Sequence, residues 1–360
     1  MHFSLLTTGL WWASAYGAAV EMLKRDTPLK VELTSLGSNS MVKAAVTNTD
    51  SRGYNLFYKG SFLDGDSPVD KFEVHGEASR AAFNGVLLRM ATTNLETTQF
   101  VPIQPGQTIE TEIDVAELYD VETSGSYTVR AVGSMPYAEL NSTTLTGRSV
   151  AFSSNALTMD IDGDQAKVVP YAVHTMMAKK RTELSTNGCS GQRSTALKQA
   201  LSNCADLANN AASAAAAGYK LQKYFKSSSS SVANTVSARF AAVAKECAST
   251  TNGVTDTSCS DDKYGYCHSG GVLGYTLPAY NYIAYCDIFY TYLEPVSSDC
   301  HGQDQATTVL HEKTHAPLVY SPGTDDYAYG FEAAMDLSSS QAVLNADTYA
   351  LYANSLYAGC

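Results

Sequence analysis

The cysteines restrict the fold of this chain more than any other feature, because all eight lie in its C-terminal half. An even number of cysteines in a chain with an export signal is typical of a disulfide framework. The alternative, a metal held by cysteines, is disfavoured because no C-x-x-C pair occurs. We therefore expect four disulfides, each contributing about 2–4 kcal/mol to stability by restricting the unfolded chain. The cysteines are Cys189, Cys204, Cys247, Cys259, Cys267, Cys286, Cys300 and Cys360.

The first residues have the composition of a cleaved secretory signal. An apolar run that reaches Trp12 is followed by small residues between Ala13 and Ala19. The run is too short to span a bilayer, and no later stretch of unbroken apolar residues is long enough. We therefore predict a signal peptide at residues 1–19 and a secreted, extracellular protein without membrane association.

A tribasic run, Lys179-Lys180-Arg181, marks the point where cysteine-free sequence gives way to cysteine-rich sequence. A run of charges is often only solvated surface. In an exported chain, however, this position favours cleavage after Arg181 by a dibasic-specific processing protease. The prediction is a pro-region at residues 20–181 and a mature domain at residues 182–360, which is long enough to bury a sizeable core.

The two parts predict an α+β protein with different architectures in each half. Residues 20–181 contain short, often alternating apolar segments separated by Gly, Asn, Asp and Ser, with strands expected near 30–33, 41–46, 54–58 and 127–132. This pattern is typical of an all-β, antiparallel sandwich, which we interpret as a pro-region that assists folding and blocks the cleft.

Residues 182–360 predict a mainly helical domain with a small antiparallel sheet. Helices are expected within 196–217, over 236–247 and from about 340 to 356, with the serine run at 227–231 as a break. The region 264–290 is rich in tyrosine and glycine and should supply strands and the edge of the cleft. An extended substrate can bind such an edge as an added strand.

A histidine-rich motif, His311-Glu312-Lys313-Thr314-His315, predicts a metal site. Residues four apart lie on one face of a helix, so both histidines can bind one metal ion while Glu312 lies beside it. The alternative is a solvated helix face that happens to carry two histidines. Apolar residues before the motif argue against this alternative, and Asp304 is placed to cap the helix.

A third ligand is needed, since catalytic zinc usually takes three protein ligands and leaves a fourth position for water. Pro317 and Pro322 should end the helix, and Gly323 lets the chain turn back towards the metal. That return brings Asp325 and Asp326 to the site. Spacing alone does not choose between the two aspartates.

The H-E-x-x-H motif followed by G-T-x-D-x-x-Y-G, from Gly323 to Gly330, resembles the deuterolysin, or aspzincin, family of fungal secreted zinc endopeptidases. The second element distinguishes this family from zinc proteases whose third ligand is Glu or His. The resemblance covers the signal, pro-region, basic site and cysteine-rich domain, and it implies a zincin-type catalytic domain. Phe289 departs from the pattern, because some relatives carry a tyrosine there; whether Tyr290 replaces it is left open.

The resemblance implies roles for five residues. His311, His315 and Asp326 would bind one catalytic Zn²⁺, Glu312 would be the general base, and Tyr329 would donate a hydrogen bond to the oxyanion. It also implies the disulfides Cys189–Cys259, Cys267–Cys286 and Cys300–Cys360, and with them Cys204–Cys247.

Charge indicates the kind of partner. The chain carries a net charge of −12, and residues 182–360 hold sixteen Asp and Glu against nine Lys and Arg. This balance disfavours nucleic-acid binding and favours basic polypeptides, as the family resemblance also does. We therefore predict a monomeric zinc endopeptidase, made as a zymogen, that hydrolyses basic proteins such as histones or protamines through a zinc-activated water and Glu312.

Two alternatives remain at this point. One is a secreted, zinc-stabilised binding or effector protein without turnover. The other is an endopeptidase restricted to lysine sites, which requires an acidic pocket residue such as Asp347. A partner of a zinc-binding histidine and an exposed helix acid are the other interpretations of Asp347. His268 and His301 are interpreted as ordinary surface or loop histidines.

Overall fold

The computed structural model describes residues 27–174 and 189–360. The predicted signal peptide and the tribasic run lie outside these residues. The described chain mixes helices and sheets and is compatible with the predicted α+β class. Within it, no helix combines the length and the apolar character needed to cross a membrane.

The described part of the N-terminal half is built mainly from short strands, with a short α-helix and 3-10 turns at Thr97–Gln99 and Val115–Glu117. The strands are β1 (Leu29–Ser35), β2 (Met41–Asn48), β3 (Tyr54–Phe57), β4 (Glu73–His75), β5 (Leu87–Met90), β6 (Phe100–Ile103), β7 (Thr108–Asp114), β8 (Gly125–Arg130), β9 (Val132–Ala138), β10 (Leu145–Ser154) and β11 (Leu157–Ile161), and the helix is α1 (Gly163–Ala166).

Ten of these strands form two sheets that share one hydrophobic core. One sheet has the order β6-β3-β9-β10-β1-β2-β7 and the other β11-β8-β4. Alternate side chains of β1 are buried, as the two-residue period of a strand requires. Val31 and Val46 from the first sheet meet Val129 and Ile161 from the second. Neighbouring strands are antiparallel except β1 and β10, so the prediction of a purely antiparallel arrangement is wrong for that pair.

The C-terminal half contains most of the helices. They are α2 (Gly191–Ala216), α3 (Leu221–Tyr224), α4 (Ser230–Cys247), α5 (Asp287–Tyr292), α6 (Gln305–His315), α7 (Phe331–Met335), α8 (Ser339–Val343) and α9 (Ala346–Tyr357), with strands β12 (Asp256–Ser258), β13 (Val272–Leu277) and β14 (Tyr282–Tyr285).

Helices α2, α4, α6 and α9 enclose a second hydrophobic core, to which Leu207, Phe240, Leu310 and Tyr352 contribute. The cysteines pair as the resemblance implied, and one of these bonds joins α2 to α4. The disulfides are Cys189–Cys259, Cys204–Cys247, Cys267–Cys286 and Cys300–Cys360.

Two predicted helix boundaries are wrong. The serine run does not simply break the chain, because the Ser229 side chain accepts a hydrogen bond from the Val232 N–H and starts α4 there. The predicted last helix is divided into α8 and α9. Between them the Asn345 side chain exchanges hydrogen bonds of 3.0 and 3.1 Å with the backbone of Ala328, which interrupts the helix.

The third sheet joins the two halves of the chain. Its order is β12-β14-β13-β5, so a strand from the N-terminal half lies beside β13. The β12–β14 pair is parallel, and the prediction of an entirely antiparallel small sheet is therefore wrong for β12. Strand β13 lies between β14 and β5, and α6 packs against it.

Candidate metal centre

Helix α6 carries the H-E-x-x-H motif and is fixed at its first turn. The Asp304 side chain accepts a hydrogen bond of 2.6 Å from the Thr307 N–H. The Thr307 hydroxyl donates a second one, of 2.8 Å, to the same carboxylate oxygen. Every residue of the helix is buried, and Val309 and Leu310 lie fully in the helical core. The alternative of a solvated helix face is therefore wrong.

Two histidines and one aspartate converge at the end of this helix. The Nε2 atoms of His311 and His315 lie 3.1 Å apart. Asp326 Oδ1 lies 3.3 Å from His311 Nε2, and Asp326 Oδ2 lies 3.5 Å from His315 Nε2. All three potential ligand atoms fall within 4.8 Å of one another, a spacing that fits a single metal ion.

The chemistry of this cluster fits zinc. Both carboxylate oxygens of Asp326 are buried and have no hydrogen-bond partner among the described residues. A buried carboxylate without donors is costly unless a cation compensates it. Two imidazoles and one carboxylate are a typical donor set for catalytic zinc. Burial also lowers the pKa of His315 to about 4, which favours the neutral imidazole that a metal requires.

The loop after α6 orients the second histidine. His315 Nδ1 lies 2.9 Å from the Thr324 carbonyl oxygen, so Nδ1–H donates and Nε2 keeps its lone pair towards the cluster. Gly323 permits this close return, because a Cβ there would lie 2.3 Å from the His315 carbonyl oxygen. Arg239 from α4 holds the same loop by donating a hydrogen bond of 2.9 Å to the Pro322 carbonyl.

The two neighbouring aspartates have different surroundings. Asp326 faces the histidines, whereas the Asp325 carboxylate accepts a hydrogen bond from the Arg80 guanidinium in the N-terminal half. The backbone N–H of Asp325 also donates to the Leu344 carbonyl at 2.7 Å. The structure therefore brings Asp326, and not Asp325, to the histidine pair.

Glu312 lies beside the cluster with one carboxylate oxygen held and one free. Its Oε2 accepts a hydrogen bond of 2.6 Å from the Thr276 hydroxyl on β13. Its Oε1 is buried and has no partner among the described residues. Burial raises the pKa of Glu312 to about 7, so this carboxyl group can exchange a proton near neutral pH.

Comparison with known proteins agrees with this geometry. Residues 1–360 match the family model for the deuterolysin metalloprotease (M35) family. The chain belongs to this family. It is a zinc-dependent metalloendopeptidase.

Several fungal relatives match over nearly their full length. A neutral protease 2 homolog of Phaeosphaeria nodorum is 47% identical over 348 residues, which cover 96% of each chain. Another from Aspergillus terreus is 46% identical over 363 residues and covers 100% of each chain. A third, from Botryotinia fuckeliana, is 44% identical over 341 residues and covers 94% of each chain.

In this deuterolysin-family protein, the motif tyrosine points to the N-terminal half. The Tyr329 hydroxyl donates a hydrogen bond of 2.6 Å to the backbone carbonyl of Leu88 on β5. Its ring lies 6.3 Å from the ring of His311, centroid to centroid. Tyr329 is therefore beside the cluster and already bonded to a peptide carbonyl.

Asp347 on α9 lies behind His311. Its Oδ1 is 3.8 Å from His311 Nδ1, and the side chain is only 2% exposed, so the interpretation as an exposed helix acid is wrong. Asp347 forms an ion pair with Arg89 of β5. Burial alone would raise the pKa of Asp347, but the Arg89 guanidinium outweighs burial and holds that pKa below its ordinary value.

Two residues of the site have no signal in the sequence around them. Thr276 fixes Glu312, although its segment predicted only a cleft edge. Arg89 lies in the N-terminal half, and its Nη1 is 3.2 Å from His311 Nδ1. His301 lies in a turn, as predicted, and stacks on Phe331 with ring centroids 3.8 Å apart.

Proposed function

We propose that this metalloendopeptidase is made as a secreted zymogen. In it, His311, His315 and Asp326 hold one zinc ion, and Glu312 is the general base. The observation that carries the proposal is the convergence of the three ligand atoms within 4.8 Å. The free, buried Oε1 of Glu312 beside them supports the assignment of the base.

The residues around this centre support hydrolysis of a peptide bond. Zinc bound there would supply a Lewis acid that lowers the pKa of a water and polarises the substrate carbonyl. Glu312 would accept the proton through Oε1, while Thr276 fixes its other oxygen. A carboxyl group with a pKa of about 7 can then return this proton to the leaving amine. Tyr329 would donate its hydroxyl hydrogen bond to the oxygen on which negative charge develops.

The zymogen proposal assigns residues 1–19 to a signal peptide, 20–181 to a sandwich-like, β-rich pro-region and 182–360 to the catalytic domain. Two separate hydrophobic cores, one among the N-terminal strands and one among the C-terminal helices, support the division. Lys179-Lys180-Arg181 lies between the two described parts of the chain. Four disulfides, all in the C-terminal half, are consistent with an extracellular protein.

A preference for basic substrates is supported by Asp347. This carboxylate is buried within the site and already pairs with an arginine side chain. Once that arginine leaves, the carboxylate can receive a lysine or arginine of a substrate. We expect Asp347→Asn to reduce cleavage next to basic residues, as mapped on an unstructured peptide mixture. Cleavage confined to lysine sites in the unmodified enzyme would favour the lysine-restricted alternative.

The decisive experiment measures hydrolysis of protamine by the secreted, processed chain. Activity should disappear with 1,10-phenanthroline and return when zinc is added. Glu312→Gln should keep zinc and lose about 10²–10⁴-fold in turnover, whereas Asp326→Ala should lose both zinc and turnover. Zinc content is measured by atomic emission in each sample. No hydrolysis by a correctly processed, zinc-loaded chain would favour the binding-protein alternative.

A further inference from the structure

Strand β5 of the N-terminal half occupies the free edge of β13. The pair is antiparallel, with Leu87 opposite Thr276, Leu88 opposite Tyr275 and Arg89 opposite Gly274. Thr276 is the residue that fixes Glu312, so this register places β5 directly in front of the general base. An extended peptide that adds to a sheet edge in this way is a common mode of peptide recognition.

The backbone beyond β5 is also held by the C-terminal half. The Ala91 N–H donates to the Gly271 carbonyl at 2.7 Å. The Gln303 side-chain amide then binds the chain twice, donating to the Met90 carbonyl at 2.9 Å and accepting from the Thr92 N–H at 3.0 Å. These contacts involve backbone atoms of β5 and its flank, which any peptide sequence would offer.

One carbonyl of β5 has a special position. The Leu88 carbonyl oxygen accepts the 2.6 Å hydrogen bond from the Tyr329 hydroxyl, the group proposed to bind the oxyanion. Leu88 is 1% exposed, so this contact is shielded from water. The Leu88–Arg89 peptide group therefore accepts the hydrogen bond that the proposed mechanism assigns to the reacting peptide group of a substrate.

Arg89, the residue after Leu88 in β5, holds the strand through its side chain. Its side chain is 3% exposed, and its guanidinium lies between the Asp347 carboxylate and His311 Nδ1. A second arginine of the same half, Arg80, binds Asp325, the neighbour of the proposed ligand Asp326. Both attachments place cations of the N-terminal half on carboxylates of the catalytic half.

We propose that the N-terminal half inhibits the catalytic half by laying β5 in the substrate cleft as a substrate-like strand. Arg89 is its main anchor, and the half remains bound after the chain is cut after Arg181. The inference rests on the proposed function, because it takes the cluster at His311 as the catalytic centre. Inhibition then ends when the two fragments separate.

The test uses the full chain, loaded with zinc and cut after Arg181 by a dibasic-specific protease. Wild type is compared with Arg89→Ala and with Arg130→Ala, which removes an exposed arginine of β8. The readouts are the dissociation constant of the fragments, from size-exclusion chromatography over a dilution series, and the initial rate of protamine hydrolysis.

In wild type and Arg130→Ala we expect the fragments to co-elute and the specific activity to rise on dilution. Arg89→Ala should raise the dissociation constant at least about tenfold, because it leaves Asp347 buried and unpaired, and should hydrolyse faster at equal concentration. An Arg89→Ala protein with the dissociation constant and rate of wild type would overturn the inference.

A synthetic peptide of residues 84–93 tests the same contact without any change in the folded chain. Added to the separated catalytic fragment, it should raise the KM for substrate and leave kcat unchanged. The same peptide with Ala in place of Arg89 should bind at least about tenfold more weakly. Equal inhibition by both peptides, or a fall in kcat at constant KM, would contradict binding in the cleft through Arg89.

The two proposals fail in different ways. If the Arg89→Ala fragments separate and no sample hydrolyses protamine, the proposed catalytic centre and its preference for basic substrates fail while the strand contact stands. If all cut samples hydrolyse protamine equally and their fragments associate equally, the strand contact fails while the peptidase assignment stands.

Discussion

Lys313 occupies one of the two unspecified positions of the H-E-x-x-H motif, yet it has defined partners. Its ammonium group donates hydrogen bonds of 2.6 and 2.7 Å to the hydroxyls of Thr255 and Thr257. It also lies 3.8 Å from the carboxylate of Glu246 on α4. Burial lowers the pKa of Lys313 to about 8. The lysine thus joins the back of α6 to α4, to β12 and to Thr255 just before β12.

Replacing Lys313 by Met should lower the free energy of unfolding by about 3 kcal/mol, because it leaves Glu246 buried without its cation. The carboxylate would retain the N–H groups of Val254 and Thr255, which limits the loss. Urea denaturation followed by circular dichroism measures the change. The double variant Lys313→Met/Glu246→Gln should lose less than the sum of the single variants. A single variant within about 0.5 kcal/mol of wild type would show that the pair contributes nothing.

At the scale of elements, the cap of α6 links helix stability to metal binding. Asp304 accepts hydrogen bonds from the N–H of Thr307 and from the N–H of Ser297 at 2.8 Å. It therefore fixes both the first turn of the helix and the chain that enters it. The helix is only Gln305–His315, so its first histidine, His311, lies within two turns of the cap. Disorder in the first turn would therefore also disturb His311.

Asp304→Ala should lower the free energy of unfolding by about 1–2 kcal/mol and weaken zinc binding. The matched control is Ser229→Ala, which removes the cap of α4, a helix that carries none of the proposed ligands. Zinc affinity is measured by competition with a chromogenic chelator. Equal zinc affinities in the two variants would show that the cap of α6 has no special connection to the site.

Local sequence predicted the elements of the site and missed what contacts them from far away. The H-E-x-x-H spacing and Asp304 fix a helix by interactions within one or two turns, so α6 could be predicted. The division between α8 and α9 could not, because it depends on contacts of Asn345 with Ala328 in another segment. Spacing alone could not choose between Asp325 and Asp326, and only the family motif favoured Asp326, because the partner of Asp325, Arg80, lies far away in the sequence.

At the scale of the whole molecule, the described residues include two main hydrophobic cores and a smaller one to which both halves contribute. The N-terminal sheets and the C-terminal helices each bury their own apolar side chains. Leu88 and Met90 of β5 pack with Val272 and Tyr275 of β13 in the cluster between the halves. Short alternating segments predicted strands in the N-terminal half and helical spacing predicted helices in the C-terminal half, but no pattern in the sequence predicts that β5 would leave the N-terminal sheets.

In calorimetry of the chain cut after Arg181, we expect two heat-absorption peaks. Removing zinc should lower the melting temperature of the C-terminal half only, because the proposed ligands His311, His315 and Asp326 all lie in that half. Free zinc at a hundred times its dissociation constant stabilises the folded state that binds it by about 2.7 kcal/mol. This raises the melting temperature of the C-terminal half by roughly 5–10 °C. Disulfide reduction identifies this peak, since every cysteine lies in that half. A single peak whose melting temperature falls when zinc is removed would contradict the prediction that the two halves melt independently.

The β5–β13 pairing also affects solubility. If the N-terminal half leaves as proposed, the backbone N–H and C=O groups on one side of β13 would lose their partners. An uncovered sheet edge is a template for joining a second molecule edge to edge, and thus for aggregation. The edge of β13 that must be uncovered to bind a substrate is therefore also the edge at which two enzyme molecules would associate. While β5 covers this edge, the N-terminal half would therefore also prevent self-association, independently of any effect on catalysis.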